Sequence, residues 1–418
     1  MDEDLIDDAT LSLDRKSRLP GTGFFYPDSL DDERVDERAA SAVAGADVVV
    51  VTDSDADGLA CVALVREAYD AVVDPAPFEA YRDARIDDDR TTDELDTAAL
   101  AADADNVTVD DDGGLLADST VALLPAGPHS LREQLGRAAE HAEPGVDVFV
   151  CDICPDDAGS VEPALSNLVE RASSVAWYDH HQWDDETAAA IREHGIELVV
   201  GDSDEECSAD VTLRSLDHEF PERFETLAAV TRDHDLWLKE DERSDDLADY
   251  SFWSSPAEYA AVVGAYGVDL PEPIRGYVDA RREEKEALID AAVRRAETHE
   301  IGPWTVGVTY GRCSQNEVAE TLRERGADAA VIVKPAGSAS IRGSETFERA
   351  HEVAGQVNGG GHPKAAGCKP DIYDDMLDVA RHWTTEGEAA KRVILAAFER
   401  VADDIEADGT ETAATADD

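Results

Sequence analysis

Four clusters of acidic and imidazole side chains stand out along this chain of 418 residues. The first is Asp53-Ser54-Asp55-Ala56-Asp57-Gly58, and the second is Asp152 in VFVCDICPDD. The third is Asp179-His180-His181, and the fourth is Asp233-His234-Asp235. Carboxylates one residue apart on a turn can aim at a single point. Their repulsion there is severe unless a divalent cation relieves it and keeps the acids ionised. Hard oxygen donors joined by one or two imidazoles suit Mn²⁺ or Mg²⁺ better than a thiolate-rich zinc site does. Two such ions about 3.5–4 Å apart, bridged by a carboxylate, clamp a phosphoryl group for displacement. Taken singly, each cluster has a plainer reading. An Asp triplet in so acidic a chain also serves as a solvated loop. The D-x-D-x-D-G pattern also opens calcium loops, although GLACVALVREAY lacks the Glu such a loop needs at its twelfth position. The ordered set of four carries the weight.

A fifth string lies far downstream: Asn358-Gly359-Gly360-Gly361-His362-Pro363-Lys364-Ala365-Ala366-Gly367. Gly359, Gly360 and Gly361 allow close backbone approach and are expected to present N–H groups to phosphate oxygens as an anion-binding nest. His362 and Lys364 add donors and positive charge, and Arg342 in SIRGS offers a bidentate phosphate clamp. The small residues of AAG point to tight packing rather than a flexible linker. In CSQNEVAETL, Ser314 is expected to cap a helix, with Gln315 and Asn316 either capping or lining a cleft.

The elements that must position these residues alternate between strand and helix. ADVVVVT, ending at Thr52, is a continuous apolar run of the kind a buried parallel strand shows, and similar runs precede Asp152 and Asp179. Each motif therefore falls at or just past a strand end, where open parallel sheets bind their ligands. The fold class expected is α/β: an N-terminal parallel-sheet domain and a smaller C-terminal α/β domain joined by a helical connector. The boundaries expected are 1–240 for the first domain, with an acidic insertion at about 75–119, then a connector at 241–300. The second domain is expected at 301–405, followed by a disordered acidic tail at 406–418.

Composition narrows the setting. With 96 Asp plus Glu against 36 Lys plus Arg, the formal charge is −60, and only seven of the basic residues are Lys. The acids are spread over the whole length, which argues against one acidic interaction segment. At molar salt the Debye length falls to about 3 Å, so such a surface is largely screened, and the dispersed pattern resembles proteins of salt-accumulating archaea. No apolar run approaches a membrane span, and MDEDLIDDAT has neither the basic nor the apolar region of a secretory signal. Six cysteines make no disulfide framework, so a cytoplasmic protein with reduced thiols is expected, Cys151 and Cys154 being core residues of a strand end.

Taken together, the four motifs resemble the DHH phosphoesterase superfamily. That group includes RecJ-type single-strand exonucleases, oligoribonucleases, cyclic-dinucleotide phosphodiesterases and family II pyrophosphatases. The DxDADG form is closest to RecJ-like members, and GGGHPKAAG resembles the signature of the DHH-associated C-terminal domain, which disfavours a pyrophosphatase. The resemblance implies a two-ion centre, Mn²⁺ or Mg²⁺, in which Asp55 and Asp57 are ligands, Asp152 bridges and His180 binds. Asp53 stands as an extra acid, and Asp233 is the last ligand, with Asp235 in competition for that place. His181 would contact the scissile phosphate, with Asp179 orienting the histidines. Arg342, Gly359, Gly360, Gly361, His362 and Lys364 would hold the substrate. The activity implied is exonuclease-type hydrolysis of single-stranded DNA or RNA from an end by two-metal water activation. The alternatives are a phosphodiesterase for short oligonucleotides or cyclic dinucleotides, and a non-catalytic binding protein of the replication and repair machinery.

Overall fold

Five strands form a wholly parallel sheet in the order β2-β1-β3-β4-β5, where β1 is Val48–Thr52, β2 Val121–Pro125, β3 Asp147–Cys151, β4 Ser174–Asp179 and β5 Glu197–Val200. The computed structural model describes residues 28–80, 82, 120–127, 130–155, 157–373 and 376–415, so most of the acidic insertion expected at 75–119 lies outside the described residues. Alternation along each strand divides the apolar side chains between two cores. Val48 and Val50 enter one core with Phe149 and Cys151, while Val49 and Val51 enter the other with Val148 and Val150. Helices cover both faces. They are α1 (Asp28–Val43), α2 (Ala56–Ala68), α3 (Leu131–His141), α4 (Ala158–Arg171), α5 (Asp185–Glu193), α6 (Ser208–Ser215) and α7 (Glu222–Asp235).

The strand order reverses between β1 and β3, which is the switch point where such sheets open a crevice. In register, Thr52 pairs with Cys151 and Cys151 with Tyr178, so the chain leaves β1, β3 and β4 at one level. Asp53, Asp152 and Asp179 are therefore delivered to the same edge.

Two compact units divide at 280/281, within the long helix α10 (Glu272–Arg295). Helices α8 (Arg243–Trp253) and α9 (Pro256–Tyr266), expected in a connector, instead pack into the first unit's core through Leu247, Tyr250, Tyr259 and Val263. A buried ion pair fixes them, with Arg82 donating through Nε and Nη2 to the two oxygens of Glu258 at 2.7 and 2.6 Å.

The second unit is built on a mixed six-stranded sheet, β10-β11-β9-β8-β7-β6. Its strands are β6 (Glu297–Ile301), β7 (Trp304–Tyr310), β8 (Ala329–Val333), β9 (Ala339–Gly343), β10 (Gly359–Gly361) and β11 (Ala365–Cys368). Its helices are α11 (Gln315–Glu324), α12 (Ala350–Gly355), α13 (Met376–Thr384) and α14 (Glu388–Thr415). The expected two-sheet α/β class is thus observed. The helix α14 runs on through Thr415, so the tail expected to be disordered from 406 is helical over its described residues. Among the described residues no helix is long and apolar enough to cross a membrane.

Candidate metal centre

The DSDADG turn passes from β1 into α2, and its acids divide the work. Asp55 is the N-cap of α2, accepting the N–H groups of Asp57 and Gly58 at 3.0 and 3.1 Å. Asp53 accepts the N–H of Ser54 at 2.6 Å. Gly58 is required by space: a Cβ there would overlap the Asp53 carbonyl oxygen and the Thr52 hydroxyl. Asp57, only 2% exposed, points inward, where both its oxygens are met by the N-terminus of α6. Ser208 N–H donates at 2.6 Å and Ala209 N–H at 2.9 Å.

Asp152 follows β3 in a left-handed backbone conformation, φ 54°, which Asp tolerates better than most residues. The next turn is anchored by Trp177, whose indole N–H donates to the Ile153 carbonyl at 2.9 Å. Asp179, fully buried at the end of β4, is the hub of the DHH segment. It accepts the N–H of His180 at 2.9 Å, lies 2.7 Å from His181 Nδ1, and accepts the Trp183 indole N–H at 2.7 Å. Burial opposes a charge on Asp179, but His181, Trp183 and His180 outweigh it and hold the carboxyl below its ordinary value. Burial likewise opposes a charge on His181, yet Asp179 pushes the imidazole up to about 9.

His180 lies between the remaining acids. Its Nε2 is 3.3 Å from Asp235 Oδ2 and 3.8 Å from Asp152 Oδ1. Ligand atoms of Asp57, His180 and Asp235 all come within 4.8 Å of one another, as do those of Asp152, His180 and His181. His180 belongs to both groups. Burial raises the carboxyls of Asp57, Asp152 and Asp235 above their ordinary range, and mutual repulsion adds to it at each. His180 Nδ1 and Asp235 Oδ2 are buried without a hydrogen-bond partner. Crowded, desolvated carboxylates beside an imidazole, with two polar atoms lacking hydrogen bonds, are a donor set that fits a divalent cation.

In the fourth motif, Asp233 accepts the N–H groups of Glu240 and Asp241 at 2.8 and 3.3 Å, tying back the loop after α7, and it falls in neither candidate ligand group among the described residues. Asp235, two residues on, faces His180 instead. Ser208 and Trp183, which donate to Asp57, Asp152 and Asp179, belong to none of the sequence motifs.

In the second unit Arg342 lies on β9 opposite Ala365 of β11. Its Nε donates to Asn316 Oδ1 at 2.8 Å and its Nη1 to the carbonyls of Ile341 and Ala366. Burial, with Arg323 nearby, brings the guanidinium down to about 10. Arg323 itself donates to the Gly343 carbonyl. Two guanidinium groups thus stand together on neutral acceptors. Ser314 makes no side-chain cap; instead Gln315 and Asn316 reach across to Ser340 and Arg342 on β9. Gly359–Gly361 are an edge strand whose partner passes so close that a Cβ on Gly359 would strike the Gly367 carbonyl. His362 closes this hairpin through its N–H to the Ala365 carbonyl. Lys364 pairs with Glu345 and Glu348 at 2.7 and 3.3 Å. All six cysteines are free, with Cys151 buried in the strand end as expected and Cys154 half-buried beyond it.

No protein-family model matches the sequence, and no curated protein matches it. Solved structures do. A DHH domain described as a member of a family of ribosomal proteins aligns over 90% of this chain and 92% of its own, with TM-score 0.51 and 12% identity. An exonuclease RecJ bound to manganese aligns over 88% of this chain and 94% of its own, with TM-score 0.48 and 15% identity. RecJ from Thermus thermophilus in complex with Mn²⁺ aligns over 88% of this chain but 55% of its own, with TM-score 0.45 and 17% identity. At such identities only the architecture is shared: the chain has the fold of a DHH-domain protein.

Proposed function

We propose that this protein is a metal-dependent phosphodiesterase that hydrolyses single-stranded nucleic acid from an end. The observation that carries the reading is the convergence of Asp57, Asp152, His180 and Asp235 on one sheet edge, with His180 Nδ1 and Asp235 Oδ2 making no hydrogen bond. These four would hold the divalent ions, Mn²⁺ or Mg²⁺, with Asp55 and Asp53 adding negative charge beside them. The ions would supply Lewis acidity toward the phosphoryl oxygens and an attacking water. His181, kept cationic by Asp179, directs positive charge at the phosphate being cleaved and disfavours its departure from the site.

Arg342 is the substrate-binding residue with the best support. A guanidinium held by an amide and carbonyls keeps its charge available for a phosphate, whereas a carboxylate partner would spend it. The glycine hairpin and His362 shape that neighbourhood. A chain of −60 attracts polyanions only where such local charge exists, which fits a protein that works at high salt inside the cytoplasm. The test is an activity panel in molar KCl with Mn²⁺, using end-labelled DNA and RNA strands of several lengths beside cyclic dinucleotides. Stepwise release from one end of long strands supports the reading. Turnover of dinucleotides alone would make it a small-substrate enzyme, and binding without turnover would make it a scaffold.

A further inference from the structure

Ser208 opens α6, is fully buried, and touches three of the chain segments that deliver the acids. Its N–H donates to Asp57 Oδ2 at 2.6 Å, and its hydroxyl donates to Asp152 Oδ1 at 3.0 Å. The same hydroxyl lies 3.5 Å from Asp179 Oδ1. A hydroxyl has one proton. Asp179 Oδ1 already has His180 N–H and His181 Nδ1 at 2.9 and 2.7 Å, so the Ser208 proton belongs to Asp152.

We infer that Ser208 is a positioning residue for the metal centre, one that fixes the Asp152 carboxylate against Asp57 so that both present their oxygens to the ions. The choice of side chain matters. A Lys or Arg at this point would neutralise the carboxylates it orients, whereas a neutral hydroxyl and a backbone N–H hold them and leave their charge for the cations. Without the hydroxyl, Asp152 is free to turn away from Asp57, Asp55 and Asp235, whose repulsion it feels in the metal-free protein. Outer partners of this kind typically change metal affinity by about 10–100-fold when removed. The inference rests on the metal-centre reading above.

The experiment is calorimetric titration of Mn²⁺ into the full chain after EDTA treatment, for wild type, Ser208→Ala and Ser208→Cys. Both variants keep the backbone N–H to Asp57, and cysteine nearly keeps the volume while offering only a weak donor. Melting curves in EDTA and in Mn²⁺ accompany each titration. Affinity at least ten-fold weaker, with a smaller Mn²⁺-induced rise in melting temperature, is the expected result. A purely structural serine would lower the melting temperature in EDTA and leave the Mn²⁺-induced rise unchanged, and that outcome overturns the inference. So does Mn²⁺ affinity within two-fold of wild type in whichever variant folds. A wild-type chain that takes up no Mn²⁺ sinks the metal-centre reading itself, and this inference with it.

Discussion

Asp235→Asn and Asp233→Ala should move stability in opposite directions, and only the first should weaken metal binding, although the two residues share one helical turn. In the cluster, oxygens of Asp57 and Asp235 come within 4.8 Å of each other. Two unit charges at that distance repel by about 3 kcal/mol at an effective dielectric of about 20. The Asp235 side chain is 23% exposed, so water screens part of this and leaves about 1–2 kcal/mol. Asp235→Asn removes the repulsion and should stabilise the metal-free protein by that amount while weakening Mn²⁺ at least ten-fold. Asp233 is 5% exposed and accepts two backbone N–H bonds, each contributing about 1.5–3 kcal/mol. Asp233→Ala should therefore destabilise by about 3–6 kcal/mol with little direct effect on the ions. Urea unfolding in EDTA, beside Mn²⁺ titration of each variant, reads both quantities. The assignment is refuted if Asp233→Ala loses Mn²⁺ while Asp235→Asn binds it like wild type.

Three further outcomes follow from the same geometry. His181 is raised from 6.5 to about 9 in the folded protein, so its contribution to stability is complete below pH 6.5 and disappears as the pH rises through about 9; in metal-free protein, His181→Asn should flatten the fall in melting temperature across that window. Arg342→Ala should weaken substrate binding by about ten-fold or more and leave the Mn²⁺ content unchanged, because each charge-assisted phosphate contact contributes about 1.5–3 kcal/mol; metal analysis and substrate titration on one preparation check it. Activity and melting temperature should both rise from about 0.1 M toward molar KCl as the −60 surface is screened, and a protein folded throughout but fastest at low salt would contradict the electrostatic account.

Much of the frame was legible in the sequence because it follows from local pattern. VVVVT reads as a doubly covered strand, and it is buried at every position. The acids after β1, β3 and β4 converge because parallel strands in register end at one level. The choice between Asp233 and Asp235 was not legible. It depends on the loop after α7 folding back to present its N–H groups, which is a tertiary event. Ser208 was hidden for the same reason, since its partners lie 151, 56 and 29 residues away. The placement of α9 did leave a sign. PAEYAAVVGAY is apolar almost all round, as a helix buried on every side must be, and a solvated connector would be amphipathic. The strand pairing of the glycine run was not legible, because three glycines serve a nest or a close strand contact equally well.

Hydrolysis by the Asp152→Ala protein tests the central claim most directly. Asp152 stands 3.8 Å from His180, is raised by burial and by four neighbouring carboxylates, and is held by Ser208 at the heart of the cluster. Turnover is measured on the best substrate of the nucleotide panel, with Mn²⁺ and with EDTA, beside circular dichroism to confirm folding. The metal-centre account predicts turnover by wild type in Mn²⁺, none in EDTA, and none by folded Asp152→Ala in either. Near wild-type turnover by Asp152→Ala, or wild-type turnover that survives EDTA, would contradict it.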